Sequence, residues 1–216
     1  MTDRPTEEVA TPSRGRASMT ADQIQAYSVD AIQPLTAPIE LAEPDPAWPA
    51  LFDREEARIR FALGDRVVRL EHTGSTSVPG LAAKACIDIT MTVADVLDEP
   101  AYVPDLEAAG YRLVIREHEP EWYDHRVFKG PDTNVNLHVF SAGCRELDRM
   151  VGFRDWLRSH PEDRELYEAT KRDLVMRDWA FVQNYADAKG EVVEQIATRA
   201  GIGGPHPGWD AEPYAR

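Results

Sequence analysis

The residues best equipped for chemistry lie between Leu70 and Thr90. Gly74-Ser75-Thr76-Ser77 is a small, hydroxyl-rich turn. Glycine lets the backbone approach a ligand closely, and a Ser/Thr turn that opens a helix leaves amide N–H groups for an anion. Lys84 follows at a distance from which an ammonium could reach a phosphate. Asp88 then stands on a segment of clean alternation. Ile87, Ile89, Met91 and Val93 fall on one face, and Cys86, Asp88, Thr90 and Thr92 on the other. An aspartate on the open face of a half-covered strand is an oxygen ligand for a hard cation such as Mg²⁺. The combination reads as a phosphate cradle beside a cation site. The same residues also fit an ordinary capped turn and an edge aspartate with a basic partner.

Further candidates come later in the chain. Asn134, Asn136, His138 and Phe140 share one face of a second alternating run, whose other face is Val135, Leu137 and Val139. Histidine titrates near neutrality as a residue type, so His138 is a candidate general base. A strand histidine bonded to a neighbour is the alternative. Glu71, just before the turn, could add a second metal oxygen. Arg126 belongs to the strand beside that of His138. Lys171 and Tyr167 lie four apart on one helical face and could close over the site. A surface lysine or arginine in an ion pair is the plainer reading of each cation.

These residues need a scaffold, and the patterning supplies one. An Asp45 cap with Pro46 and Pro49 predicts a helix start, followed by Trp48, Leu51, Phe52, Ile59 and Leu63 at helical spacing. Strands are predicted at Val67–Leu70, Cys86–Val93 and Tyr111–Arg116, and a hairpin at Trp122–Phe128 and Val135–Phe140. A short strand is expected at Pro38–Glu43. Helices are predicted at Glu99–Ala109, Arg145–Ser159, Pro161–Ala188 and Glu191–Ala200. The order implies one α/β (α+β) domain over residues 37–202, a mixed sheet packed by helices with a helical C-terminal part. Residues 1–36, rich in Thr, Ser, Pro, Arg and Glu, read as a largely disordered extension with a possible helical piece at Asp22–Tyr27, and 203–216 as a flexible tail.

The 216 residues suffice for one substantial core. With 38 acidic against 24 basic residues the formal charge is −14, which disfavours a nucleic-acid partner. Two cysteines make neither a disulfide framework nor a metal cluster. No signal-like or membrane-length apolar run occurs, so a cytoplasmic protein without a membrane partner is expected.

The run His72-Thr73-Gly74-Ser75-Thr76-Ser77-Val78-Pro79-Gly80-Leu81, with Lys84 and Ile87-Asp88-Ile89, resembles the signature of the GrpB family. The likeness continues through Asn136–Phe140, Phe153–Arg158, Tyr167 and Lys171. That family is assigned to the polymerase-beta-like nucleotidyltransferases. The resemblance implies a nucleoside triphosphate with Mg²⁺ (or Mn²⁺), and transfer of a nucleotidyl or phosphate group to a small-molecule acceptor. On that view Gly74 and Ser75 start the phosphate-binding element and Asp88 is the first metal carboxylate. Thr90 stands where a second carboxylate belongs, and His138 is the best match for the third. These departures keep open a binding module that has lost transfer, or a site repurposed for another condensation through Asp88 and His138.

Overall fold

A computed structural model describes residues 18–202 apart from 120–122. Five strands form one mixed sheet: β1 (Arg69–Thr73), β2 (Ile87–Val93), β3 (Arg112–Glu119), β4 (Tyr123–Lys129) and β5 (Val135–Ser141). Their spatial order is β1-β2-β5-β4-β3. Only β2 and β5 run parallel; the other neighbouring pairs are antiparallel. The parallel register sets Asp88 against Asn136 and Thr90 against His138. The α+β mixed sheet expected from the patterning is therefore the observed architecture.

Each alternating strand divides its residues as a half-covered strand should. Ile87, Ile89, Met91, Leu137 and Val139 are buried in the main core with Ile59 and Leu63. These last two belong to α2 (Trp48–Leu63), which covers that face with α3 (Val103–Ala108). The opposite face carries Asp88, Asn136 and His138. It is covered in part by α1 (Ala21–Tyr27), α4 (Arg145–Ser159), α5 (Pro161–Leu174) and α6 (Val182–Ala188), with α7 (Gly190–Arg199) completing the helical part.

Several boundaries differ from the sequence reading. β1 starts at Arg69 because Val67 closes a tight turn over Gly64–Arg66. The segment 38–43 makes only an isolated bridge, Ala42 to Ala83, since no long partner edge faces it. The single helix expected over Pro161–Ala188 breaks between Leu174 and Val182. There the Trp179 indole donates to the Leu174 carbonyl, and the Leu35 amide donates to the Ala180 carbonyl. Tertiary hydrogen bonds thus replace helical ones.

At the N-terminus the helical piece read at Asp22–Tyr27 is present as α1, but the disorder expected around it is not. Residues 1–17 and 203–216 lie outside the described residues. Residues 18–36, however, are ordered onto the domain. Ser28 bridges to Ile115, the Val29 amide donates to the Val114 carbonyl, and Arg112 pairs with Asp30. The Met19 amide donates to Asp187 on α6 at 2.9 Å. The segment is held by polar contacts, and α1 itself buries no residue, which is why its composition looks disordered.

A core of this kind makes a sharp contrast between two substitutions. Ile89→Ala, at a fully buried site, should lower unfolding free energy by about 2–5 kcal/mol in urea denaturation. Phe61→Ala, on the exposed side of α2 at 95% exposure, should stay within about 0.5 kcal/mol of the parent.

Candidate functional site

The open face of the sheet and the helices over it enclose a cleft of about 700 Å³, within the range of small-molecule and cofactor sites. Asp88 and His138 line it, with Ser75, Thr76, Lys84 and Lys171. Six of the residues singled out in sequence therefore converge on one space.

The turn and the aspartate are built against each other. Gly74 has φ 65°, and a Cβ placed on it would come 2.3 Å from Asp88 Oδ2. Only glycine fits, both for its backbone and for the space it leaves to the carboxylate. The turn is a single three-residue 3-10 turn, Ser75–Ser77, rather than the start of a long helix. The Ser77 hydroxyl is committed to the Gly74 carbonyl at 2.6 Å, and Thr76 donates to the Cys86 carbonyl at 3.0 Å. These two hydroxyls hold the turn's shape. Ser75 is the one that meets Lys171, whose Nζ donates to Ser75 Oγ at 3.1 Å and to the Ala82 carbonyl. Lys171 is 2% exposed and lies 4.8 Å from the centre of the Tyr167 ring. Burial depresses its pKa to about 7.

Asp88 is partly open, its side chain 27% exposed. Asn136 donates to its Oδ1 at 2.7 Å, and His138 Nε2 stands 3.8 Å from the same oxygen. Burial acts to raise the Asp88 pKa, but His138 and Asn136 outweigh it and hold the carboxyl below its ordinary range. Behind His138 runs a chain of contacts. Its Nδ1 is 3.0 Å from His125 Nε2, and His125 Nδ1 is 3.0 Å from Glu117 Oε2. The His125 ring stacks on Phe140 at 4.4 Å, and burial lowers its pKa. A carboxylate can only accept, so Glu117 places a proton on His125 Nδ1. His125 Nε2 then accepts from His138 Nδ1–H, which turns His138 Nε2 toward Asp88 and the cleft.

A bulge makes this chain possible. Leu113 pairs with Phe128, but Ile115 pairs with Val127, so Val114 is an extra residue in β3. The extra residue turns Ile115 and Glu117 to the cleft face, where Glu117 lies opposite His125. Sequence reasoning could not find Glu117, because a plain period of two puts it with Leu113. His125 and Lys129 alternate with the core residue Phe128 and were within reach of the pattern. Lys189, over the Tyr185 ring at 4.8 Å, follows a helix break that the sequence does not announce.

Two candidates fall elsewhere. Glu71 accepts from Arg154 at 2.9 Å and from Arg69 at 3.1 Å and is not part of the cleft lining. Arg126 points to the opposite side of the sheet, 7% exposed, and donates to Glu99 at 2.7 Å. Its neighbour Val127, not Arg126, is the cross-strand partner of His138. Thr90 is fully buried between Thr73 Oγ1 at 2.8 Å and Met150 Sδ at 3.6 Å, so it cannot replace a carboxylate in the cleft.

The family described as GrpB protein matches residues 38–199. The chain belongs to the GrpB family. It is 55% identical over 181 residues to a UPF0157 protein of Halalkalibacterium halodurans, covering 84% of this chain and 92% of that one. The crystal structure of the conserved protein GrpB from Enterococcus faecalis superposes with a TM-score of 0.64 at 27% identity, over 74% of this chain and 96% of that one. A protein of Mycolicibacterium paratuberculosis named dephospho-CoA kinase is 31% identical over 210 residues, 85% of this chain and 51% of the relative. Among the described residues, no helix of this GrpB member is long and apolar enough to cross a membrane.

The site's geometry has measurable consequences for stability. Gly74→Ala should cost on the order of 3 kcal/mol, since it both strains the backbone and displaces Asp88; equilibrium unfolding checks this. The depressed pKa of Lys171 penalises the folded state fully below pH 7, because the ammonium must be charged while buried. The penalty fades as pH rises towards the ordinary lysine value, where the unfolded chain still holds the proton. Lys171→Met should therefore compare best with the parent at pH 6–7. Its advantage should shrink steadily in melts taken up to about pH 10.

Proposed function

We propose that this chain binds a phosphorylated small molecule of the nucleotide class and transfers a nucleotidyl or phosphate group from it to a small-molecule acceptor. The observation that carries this reading is the convergence of Asp88, His138 and the Lys171-gripped Ser75 on one cleft of small-molecule size. The family resemblance to nucleotidyltransferases supports the reaction class. The half-length match to a protein named dephospho-CoA kinase supports a small phosphorylated ligand.

In this reading Ser75 and Lys171 hold a phosphate. His138 Nε2 takes the proton from the acceptor hydroxyl as its oxygen bonds to phosphorus. The bond to the leaving phosphate breaks, and that group departs with the electron pair. The proton arrives next to Asp88, whose charge stabilises the imidazolium, while His125 and Glu117 hold the ring in place.

The Mg²⁺ (or Mn²⁺) expected from the resemblance can be tested against the donor set. Of the carboxylates lining the cleft, Asp88 stands beside His138, while Glu117 is bonded to His125 and Glu146 is paired with Arg149; Thr90 is packed under Met150, and Glu71 is paired with two arginines. Among the described residues no group of three or more His, Cys, Asp or Glu side chains could hold a metal. These residues do not fit a two-metal site, which needs several oxygen ligands.

A second reading, a nucleotide- or partner-binding module without transfer, is favoured by the burial of Thr90. One experiment separates the two. The protein is incubated with a nucleoside triphosphate panel and small hydroxyl acceptors, and released pyrophosphate or phosphate is measured beside binding by calorimetry. Transfer should appear, and His138→Ala should lower it about 10²–10⁴-fold with binding retained. Binding without turnover selects the nucleotide-binding module, and no binding defeats transfer and leaves only the partner-binding module.

A further inference from the structure

The chain contains only four lysines, Lys84, Lys129, Lys171 and Lys189, against twenty arginines. All four lysines line the one cleft. The arginines do a different job. Arg58, Arg126, Arg154 and Arg172 each pair with a carboxylate, and they stand for a wider pattern of ion pairs across the molecule. None of the four lysines has an ion-pair partner among the described residues, in a chain where acidic residues outnumber basic ones 38 to 24. Lys129 donates to the Asn136 side-chain oxygen, Lys171 to Ser75 and to the Ala82 carbonyl, and Lys189 lies over Tyr185. Carboxylates abound and three line the cleft itself, yet among the described residues none forms an ion pair with a lysine.

Their arrangement is paired. Lys84 is near enough to Lys129 to lower its pKa, after burial, and Lys189 does the same to Lys171. The two pairs reach the lining from different sides: one from the β2 approach and the end of β4, the other from α5 and the residue after α6. Burial and a neighbouring like charge disfavour the ammonium forms of Lys129 and Lys171. An anion with charge at more than one point favours them. An ammonium is a compact point charge with three donors, able to sit against phosphate oxygens without the planar fork of arginine. Asn136 ties the arrangement together, because the same amide accepts from Lys129 and donates to Asp88.

We propose that the cleft binds the diphosphate or longer phosphate chain of its ligand directly through the four lysine ammonium groups, with no divalent cation needed for binding. The inference rests on the phosphorylated-ligand reading above and deepens it: the lysines provide the countercharge that the depleted carboxylate set cannot recruit as metal.

The test is titration calorimetry of the full chain with inorganic pyrophosphate and with ATP, each in EDTA and in excess Mg²⁺. Binding of both ligands in EDTA is expected, with Mg²⁺ changing affinity less than about threefold. Lys129→Met and Lys189→Met should each weaken binding in EDTA by at least tenfold, their melts confirming the fold. Lys129→Arg should recover only part of the loss. Binding that appears only with Mg²⁺ overturns the inference and leaves the functional proposal standing. Full affinity in the Lys129→Met, Lys189→Met double variant overturns it as well. Failure of both ligands in both conditions overturns the two together.

Discussion

The parallel pairing of β2 with β5 sets the register that the cleft and its polar groups follow. It joins two strands whose partner residues are 48 apart in sequence, Asp88 beside Asn136 and Thr90 beside His138. Both strands bury one apolar face, and that burial fixes the register. A slip of one residue would send Asp88 and His138 into the core and expose Ile89 and Leu137. The hydrophobic layer under the sheet is thus what aims the polar groups above it.

The second organising feature is electrostatic segregation. Arginines and carboxylates neutralise one another around the periphery, as Arg154 does with Glu71 and Asp155. The cleft is the exception. Its lysines are withheld from the abundant carboxylates, and its aspartate is held by an amide and an imidazole instead of a guanidinium. A fold stabilised only for its own sake would pair these groups. Lysines without carboxylate partners beside an aspartate without a guanidinium suit a site for an anion and a proton transfer.

A bulge of one residue completes the site. By turning Glu117 under His125, it provides a carboxylate that orders two imidazoles and aims one nitrogen of His138 at Asp88 and the cleft. The glycine at position 74 contributes from the other side. It lets the turn close on Asp88 with no side chain between them.

Everything that depends on local periodicity was legible in the chain before any folding. The alternation at Ile87–Val93 and Val135–Phe140 declared two half-covered strands and which face was polar. The small-residue turn and Asp88 declared a candidate site. Such signals are short-range, because side chains in a strand alternate whatever the strand pairs with. Tertiary structure decided which polar residues meet. It set Arg126 on the far side of the sheet and tied Glu71 to Arg154. It also packed Thr90 beneath Met150 and folded residues 18–36 over the cleft through hydrogen bonds that composition does not reveal. It gathered four lysines, scattered over more than a hundred positions, around one aspartate. Composition alone announced their scarcity, but only long-range strand pairing and helix packing could bring them together, since no local rule couples residues so far apart in the chain.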